Sequence, residues 1–179
     1  RRSSDLFGGV TRNPFNRRQG SSGSSAGSAA ATAAGLVAFS LGTETYGSIG
    51  SPSARCGATG FRPSFGRVSR HGAMALCWSL DKIGPICRNM EDCALVFNAI
   101  HGADDIDPTA GNYPFVWPSG KAVAGLKIGY SKSSRRDDND RQELQILKQL
   151  GCKLVEVKLP NEIPLRPLTA IIDIEAASV

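Results

Sequence analysis

The sequence predicts an α/β fold, and two observations support this prediction. Residues 126–130 and 153–159 have the pattern of strands, and an amphipathic helix is predicted between them over residues 139–150. Strand, helix and strand in this order are typical of a βαβ unit. A second amphipathic helix is predicted over residues 89–101, and the chain contains no internal repeat.

The first part of the chain is predicted as loop, helix and strand. Residues 1–23 are polar, rich in arginine and interrupted by glycine, which is typical of a lead-in loop. Ala29–Ala34 is strongly helix-forming, several serines precede it where an N-cap is expected, and Gly35 is placed to end it. Residues 36–41 form a short apolar run that predicts a buried strand.

The middle and end of the chain combine long loops with helices. Residues 42–70 are dense in Gly, Ser, Thr, Pro and Arg, and a loop of this length is usually functional. The helix over 89–101 has Asn89 as its predicted N-cap, residues 102–124 are predicted as a loop, and residues 168–177 as a helix. The predicted apolar stripe of the first of these helices comprises Ala94, Leu95, Phe97 and Ile100.

Composition and charge exclude several classes of protein. The chain has 179 residues, of which 41% are hydrophobic and 21% charged, so disorder is not expected. Its longest nearly apolar stretch, residues 29–41, is shorter than the ~20 residues that span a bilayer. The net charge is +5, but residues 1–18 carry +4 of it, so only a local arginine-rich arm that binds nucleic acid is left open.

Cysteine and histidine usage predicts a reduced, cytoplasmic chain without a metal. The number of cysteines is odd, no C-x-x-C is present, and the two histidines lie 30 residues apart, which argues against zinc. A reduced thiol set is typical of the cytosol, and Cys56 is expected to fill a small apolar space rather than to react. The cysteines are Cys56, Cys77, Cys87, Cys93 and Cys152.

Two glycine–serine segments carry the candidate chemistry. GSSAGS at 23–28 and TYGSIGSPS at 45–53 flank one predicted helix and one predicted strand, so Ser24 and Ser48 are expected to share a pocket. A serine needs a base to become a nucleophile, and a second serine can relay the proton to a neutral lysine. Gly47 allows neighbouring N–H groups to point at one spot, as an oxyanion hole requires. By composition alone the same segments are also typical of linkers and turns.

Three strings together resemble the amidase signature family. They are GSSAGSAAATAAG (23–35), GTETYGSIGSPSARCGATGFRPSFGRVSRHG (42–72) and SLDKIGP (79–85). The family consists of serine hydrolases that act on carboxamide C–N bonds. The resemblance is strong over residues 11–101 and weaker through GLKIGY, LGCKLVEVKLP and IIDIEAAS in residues 125–178.

The resemblance implies a mixed β-sheet core flanked by helices on both sides. It implies one domain over residues 1–179, with a lead-in loop (1–23), a signature core (24–101) and later α/β elements (102–179). The resemblance implies that this domain is truncated at both ends, and the first residue, Arg1, is not an initiator methionine.

The resemblance also implies roles for individual residues. Ser48 matches the nucleophile that forms the acyl-enzyme, Ser24 matches a relay serine that follows a cis peptide bond, and Ser25 matches a supporting serine. Asp81 matches an acidic residue with a structural role. The family's base is a lysine upstream of the first serine motif, and no lysine precedes Lys82, which is itself predicted as a solvated surface residue. The backbone N–H groups that match the oxyanion hole are those of Thr45, Tyr46, Gly47 and Ser48.

The sequence therefore predicts a cofactor-free amidase that converts a small-molecule amide into a carboxylate and ammonia or an amine. One alternative is the glutaminase subunit of a tRNA-dependent amidotransferase, which would act with a partner subunit. Tyr46 and Gly50 disfavour it, since this subclass follows the family's pattern of glycine and arginine at these two positions more closely. Glu44 stands where the family usually has aspartate. A non-catalytic scaffold on the same fold is also compatible with the sequence, and so is assembly into a homo-oligomer.

Overall fold

The α/β prediction is confirmed by a computed structural model, which describes residues 5–6, 9–118, 120, 122–132, 141–158, 160 and 165–179. The chain forms two compact units, Arg1–Trp117 with Arg166–Val179, and Pro118–Leu165. The single domain over residues 1–179 stays a prediction. The elements are β1 (Asp5–Leu6), β2 (Gly9–Val10), α1 (Ala26–Ala33), β3 (Ser40–Glu44), α2 (Gly50–Cys56), β4 (Thr59–Gly60), β5 (Lys82–Cys87), α3 (Met90–Ile100), β6 (Lys127–Tyr130), α4 (Gln142–Gln149), β7 (Lys153–Glu156) and α5 (Leu165–Ala176).

A three-stranded antiparallel sheet organises the first unit. Its strand order is β3-β5-β4, with Ser40 opposite Ile86 and Glu44 opposite Lys82. The last four residues of β5 are all buried. The helices α1 and α2 pack apolar side chains into the core beside this sheet. Burial of apolar surface is the main favourable term in folding. The fully packed cluster comprises Ala29, Ile49, Cys56 and Ile86.

Truncating Ile86 is expected to destabilise this unit. Ile86 is fully buried at the centre of the sheet, so Ile86→Ala removes apolar contacts and leaves a cavity, at a cost of about 2–5 kcal/mol. Urea unfolding of the full-length protein measures this cost. Leu95→Ala is the matched control, because Leu95 is 57% exposed. Equal stability of the two variants would contradict this packing.

In helix α3 the predicted N-cap is confirmed, but the predicted apolar stripe is only partly buried. The side chain of Asn89 accepts a hydrogen bond from the Asp92 N–H at 2.8 Å, so the predicted N-cap is confirmed. Phe97 and Ala94 are buried as expected, but Leu95 faces outward. The reason is the helical period: Cys93 and Phe97, four residues apart, define the buried face, and Leu95 falls between them.

Several boundaries in the first unit differ from the predictions. The predicted buried strand over 36–41 is wrong for residues 36–39, which are exposed and precede β3, and Leu41 within β3 is exposed as well. Ser25 occupies the N-cap position of α1, as the serines before the helix predicted, but its side chain makes no capping hydrogen bond. The Ser28 hydroxyl donates instead to the Leu41 carbonyl at 2.8 Å. The lead-in segment is not all loop, because β1 and β2 pair within it.

The carboxylate of Glu175 connects α5 to the segment before β5. It begins three residues before the predicted position, and Glu175 Oε2 accepts hydrogen bonds from Cys77 Sγ and the Ser79 N–H, both at 3.0 Å. Burial alone would raise the pKa of Glu175, but the hydrogen bonds from Cys77 and Ser79 outweigh it and lower the pKa. The last helix therefore fixes the segment that leads into β5.

The second unit is the predicted βαβ arrangement. β6 and β7 pair in parallel, with Lys127 opposite Lys153, and α4 connects them in sequence. α4 begins at Gln142, so the predicted helix is confirmed from that residue, and positions 139–140 lie outside the described residues. β7 ends at Glu156, earlier than predicted. Across the described residues of both units, no helix has the length and apolar character that crossing a membrane requires.

Candidate active site

The structure brings the two glycine–serine segments together at one end of α1. The Ser25 N–H donates to the Ser48 carbonyl at 3.2 Å. The Ser25 hydroxyl also donates to the Thr43 carbonyl and accepts from the Thr43 N–H, each at 3.2 Å. Gly42 makes this approach feasible, because a Cβ at that position would lie 2.7 Å from Ser25 Oγ. Ser25 therefore fixes the first segment to β3 and to the turn that carries Ser48.

Ser24 lines a cavity beside this contact. The peptide bond between Gly23 and Ser24 is cis, and the Ser24 side chain is exposed. The cavity encloses about 340 Å³. Ser48 does not belong to its lining but lies on the adjoining turn. The lining residues are Ser24, Ser25, Ser28, Leu41, Gly42, Thr43 and Ile83.

Ser48 lies on the turn between β3 and α2, where it is half-buried. Within the described part of the chain, the hydroxyls of Ser24 and Ser48 form no hydrogen bond, and neither do the backbone N–H groups of residues 45–48. Positive φ at non-glycine residues occurs, in that same part, at Ser22 and Asp105. Tyr46 thus occupies its position with an ordinary backbone conformation. The turn presents several N–H donors and one hydroxyl that are available to a ligand.

Glu44 holds the turn in place from its other side. Its Oε2 atom accepts hydrogen bonds from the N–H groups of Ile49 and Gly50, both at 2.8 Å. Its Oε1 atom lies 3.6 Å from Arg62 Nε, and the Glu44 side chain is only 7% exposed. The carboxylate therefore satisfies the first N–H groups of α2 and closes the turn that begins at Thr45. Sequence reasoning missed this role, because α2, the helix whose start Glu44 holds, was itself not predicted.

Asp81 and Lys82 hold Thr45. The Thr45 hydroxyl donates to Asp81 Oδ1, while Asp81 Oδ2 accepts from the N–H groups of Leu76 and Cys77 at 2.8 and 2.9 Å. These contacts support the structural role predicted for Asp81. Lys82 Nζ donates to the Thr45 carbonyl at 3.3 Å and to the Leu80 carbonyl. The predicted solvated lysine is therefore wrong: Lys82 is half-buried, and burial together with Arg62 lowers its pKa.

A second cavity adjoins the first through two shared residues, Thr43 and Ile83. It encloses about 260 Å³. An Arg70–Asp107 pair at 3.4 Å forms part of its wall. The hydrogen bond from Thr109 holds the pKa of Asp107 well below its usual range in spite of burial. The remaining lining is mostly apolar and includes Ala73, Met74, Trp78 and Ile106.

The cysteines lie in the core and not in the candidate site. All five are free and buried. Burial raises the pKa of the Cys87 thiol to about 12 and also raises that of Cys56, so both remain protonated at neutral pH. The small apolar role predicted for Cys56 agrees with its 1% exposure. The described residues contain no group of three or more His, Cys, Asp or Glu side chains placed to hold a metal ion.

Comparisons with known proteins agree with the resemblance carried by the serine strings. The family model described as Amidase matches residues 2–179. The A subunit of the glutamyl-tRNA(Gln) amidotransferase of Staphylococcus epidermidis is 45% identical over 161 residues. That alignment covers 84% of this chain and 33% of the relative, so the chain spans about a third of the length of the curated relatives it matches.

Solved structures show the same similarity in three dimensions. The crystal structure of the glutamyl-tRNA(Gln) amidotransferase A subunit from Thermotoga maritima matches with a TM-score of 0.84 and 35% identity, over 93% of this chain and 39% of that one. Native peptide amidase from Stenotrophomonas maltophilia gives a TM-score of 0.74 and 34% identity, over 87% and 34%. A bacterial aryl acylamidase gives 0.80 and 31%, over 99% and 40%.

Proposed function

Since this chain belongs to the amidase family, whose model matches nearly all of it, we propose that the intact protein hydrolyses a carboxamide C–N bond. The products are a carboxylate and ammonia or an amine. One observation carries the proposal: the Ser25–Ser48 backbone contact holds the two serine segments side by side, next to a turn with available N–H donors. Acyl transfer needs a nucleophilic hydroxyl beside N–H donors that can reach the carbonyl oxygen of the substrate.

The proposed mechanism assigns one role to each group. Ser48 Oγ attacks the amide carbonyl, while its proton passes through the Ser24 hydroxyl to a neutral lysine located outside this chain. The N–H groups of residues 45–48 stabilise the oxyanion of the tetrahedral intermediate. The C–N bond then breaks, and the relayed proton leaves with the amine. Water attacks the Ser48 acyl ester, and the carboxylate is released. No step of this mechanism requires a metal or cofactor.

The alternative is that the protein supplies ammonia from glutamine to a partner subunit. It is favoured by the 45% identity to the A subunit of glutamyl-tRNA(Gln) amidotransferase and by the TM-score of 0.84 with such a subunit. Tyr46, whose side chain is 74% exposed at the site, and Gly50 are the departures that disfavour it. Both proposals use the same serines and differ in substrate and partner.

Ammonia release from different amides separates the two proposals. The full-length protein alone is expected to release ammonia from a simple carboxamide at least as well as from glutamine. Release from glutamine only in the presence of a co-purifying tRNA-binding partner would instead establish the alternative. No release from any amide, with or without such a partner, would contradict both and leave the scaffold hypothesis.

Location, oligomeric state and nucleic-acid binding complete the proposal. A cytoplasmic location is supported by the five free cysteines. Homo-oligomerisation stays a prediction. Nucleic-acid binding by residues 1–18 also stays a prediction, and salt-insensitive binding would contradict it.

A further inference from the structure

We propose that Lys82 strengthens the oxyanion hole by polarising the peptide group between Thr45 and Tyr46. The inference rests on the proposed amide hydrolysis and assigns Lys82 a positioning role that acts through the backbone. Its basis is a single contact, in which Lys82 Nζ donates to the Thr45 carbonyl at 3.3 Å. The N–H on the other side of that same peptide group belongs to Tyr46, one of the proposed oxyanion donors.

The chemistry of a peptide group links its two ends. When the carbonyl oxygen accepts a hydrogen bond from a cation, electron density shifts towards that oxygen and the N–H becomes more polar. Linked hydrogen bonds strengthen one another in this way by about 10–30% per bond. In the described part of the chain, the Tyr46 N–H donates to no other group, so the added polarity is available to a bound oxyanion.

The sheet register and the local charges direct the lysine to this carbonyl. Lys82 begins β5 directly opposite Glu44, the last residue of β3, so its side chain lies beside the start of the turn. The Glu44 carboxylate is already held by two N–H groups and by Arg62. Among the described residues Lys82 forms no ion pair, and its ammonium donates to two carbonyls instead.

The charged and titratable groups around Lys82 come from three segments. Glu44 ends β3, Arg62 follows β4, and Cys77 and Asp81 lie on the segment before β5. Burial and Arg62 lower the pKa of Lys82 more than the two carboxylates and the Cys77 thiol raise it. The cation is therefore lost at a lower pH than in an exposed lysine, which normally titrates at about 10.4.

Kinetics of the full-length protein test the role directly. Removing a direct oxyanion donor costs about 10²–10³ in kcat, and Lys82 strengthens one such bond by about 10–30%, so Lys82→Met is expected to lower kcat about two- to eightfold. KM should change less than about twofold, because the charge on the oxygen develops only in the transition state. An aldehyde or trifluoromethyl ketone analogue that adds to Ser48 should bind weaker by the same factor as kcat falls.

The conservative variant supplies a readout that a purely structural role would not move. Lys82→Arg keeps a cation whose pKa is above about 12 and should recover most of kcat. Wild-type kcat is expected to fall on the alkaline side as Lys82 loses its proton, and this alkaline fall should be absent in Lys82→Arg. Lys148→Met is the control, because Lys148 is exposed on α4 and should leave kcat and its pH profile unchanged.

Three results would overturn the inference. They are an unchanged kcat in Lys82→Met, an unchanged affinity for the ketone analogue, and a loss of stability that Lys82→Arg fails to rescue. Failure of the proposed function itself has a different signature, since Ser48→Ala would then retain activity whatever the Lys82 variants do.

Discussion

Turnover of a carboxamide by the full-length protein is expected to disappear in the variant Ser48→Ala. The hydroxyl of Ser48 is the group that would form the covalent acyl-enzyme, and alanine offers no nucleophile in its place. Removing the serine from a serine hydrolase lowers kcat by about 10⁶-fold. Ammonia release under saturating substrate measures the loss, and circular dichroism shows whether the variant is folded.

The matched control is Ser64→Ala, because Ser64 is an exposed serine on the segment between β4 and β5 and should leave kcat unchanged. Ser24→Ala should also lower kcat strongly, but less than Ser48→Ala, since water can replace a proton relay in part. Mass spectrometry with a slowly deacylating substrate should locate the acyl group on the peptide that contains Ser48. Retained turnover in Ser48→Ala, or an acyl group on another residue, would contradict the assignment.

Local sequence predicted the elements that carry their own signals. α3 has a capping asparagine and apolar residues at helical spacing, which predict a helix. The βαβ unit has two apolar runs on either side of an amphipathic segment, which predict two strands and a helix. The function of the serine strings is predicted only by their resemblance to a family. Their composition alone is equally typical of a linker, because runs of glycine and serine do not indicate which strand and helix bring them together.

The elements that sequence missed are stabilised from a distance. β5 contains Gly84 and Pro85, residues that normally argue against a central strand, yet it lies between β3 and β4. Its conformation is set by the sheet and by burial of its last four residues. α2 contains a proline and has only seven residues, and its first N–H groups are satisfied by Glu44, which precedes it in the chain. Neither arrangement is visible in a local window of sequence.

Glu44 is the residue whose loss is expected to damage stability and activity together. In Glu44→Ala the buried N–H of Ile49 and the N–H of Gly50 lose their acceptor, and Arg62 loses its partner. Leaving buried donors unsatisfied costs about 1–3 kcal/mol each, so a total of about 3 kcal/mol is expected in urea unfolding. The turn that carries Ser48 is then no longer fixed, and misplacement by about 1 Å can reduce the rate about 10²-fold.

Two further substitutions separate the charge of Glu44 from its hydrogen bonds. Glu44→Gln keeps an oxygen that can accept from Ile49 and Gly50 but removes the charge that faces Arg62, so it should retain more stability and more kcat than Glu44→Ala. Glu44→Asp keeps the charge on a side chain shorter by one methylene and should also be milder than alanine. The control is Glu91→Ala, because Glu91 is exposed in the first turn of α3.

The pattern across these variants decides what fixes the turn. If Glu44→Ala is as stable and as active as Glu91→Ala, the carboxylate does not hold the turn, and the N–H groups of residues 45–48 are positioned by Ser25, Asp81 and Lys82 alone. If Glu44→Gln and Glu44→Ala lose kcat equally while only Glu44→Ala loses stability, the charge itself matters to the reaction. Loss of stability and kcat in parallel, with rescue by Glu44→Asp, is the outcome expected from a carboxylate that connects the end of β3 to the start of α2.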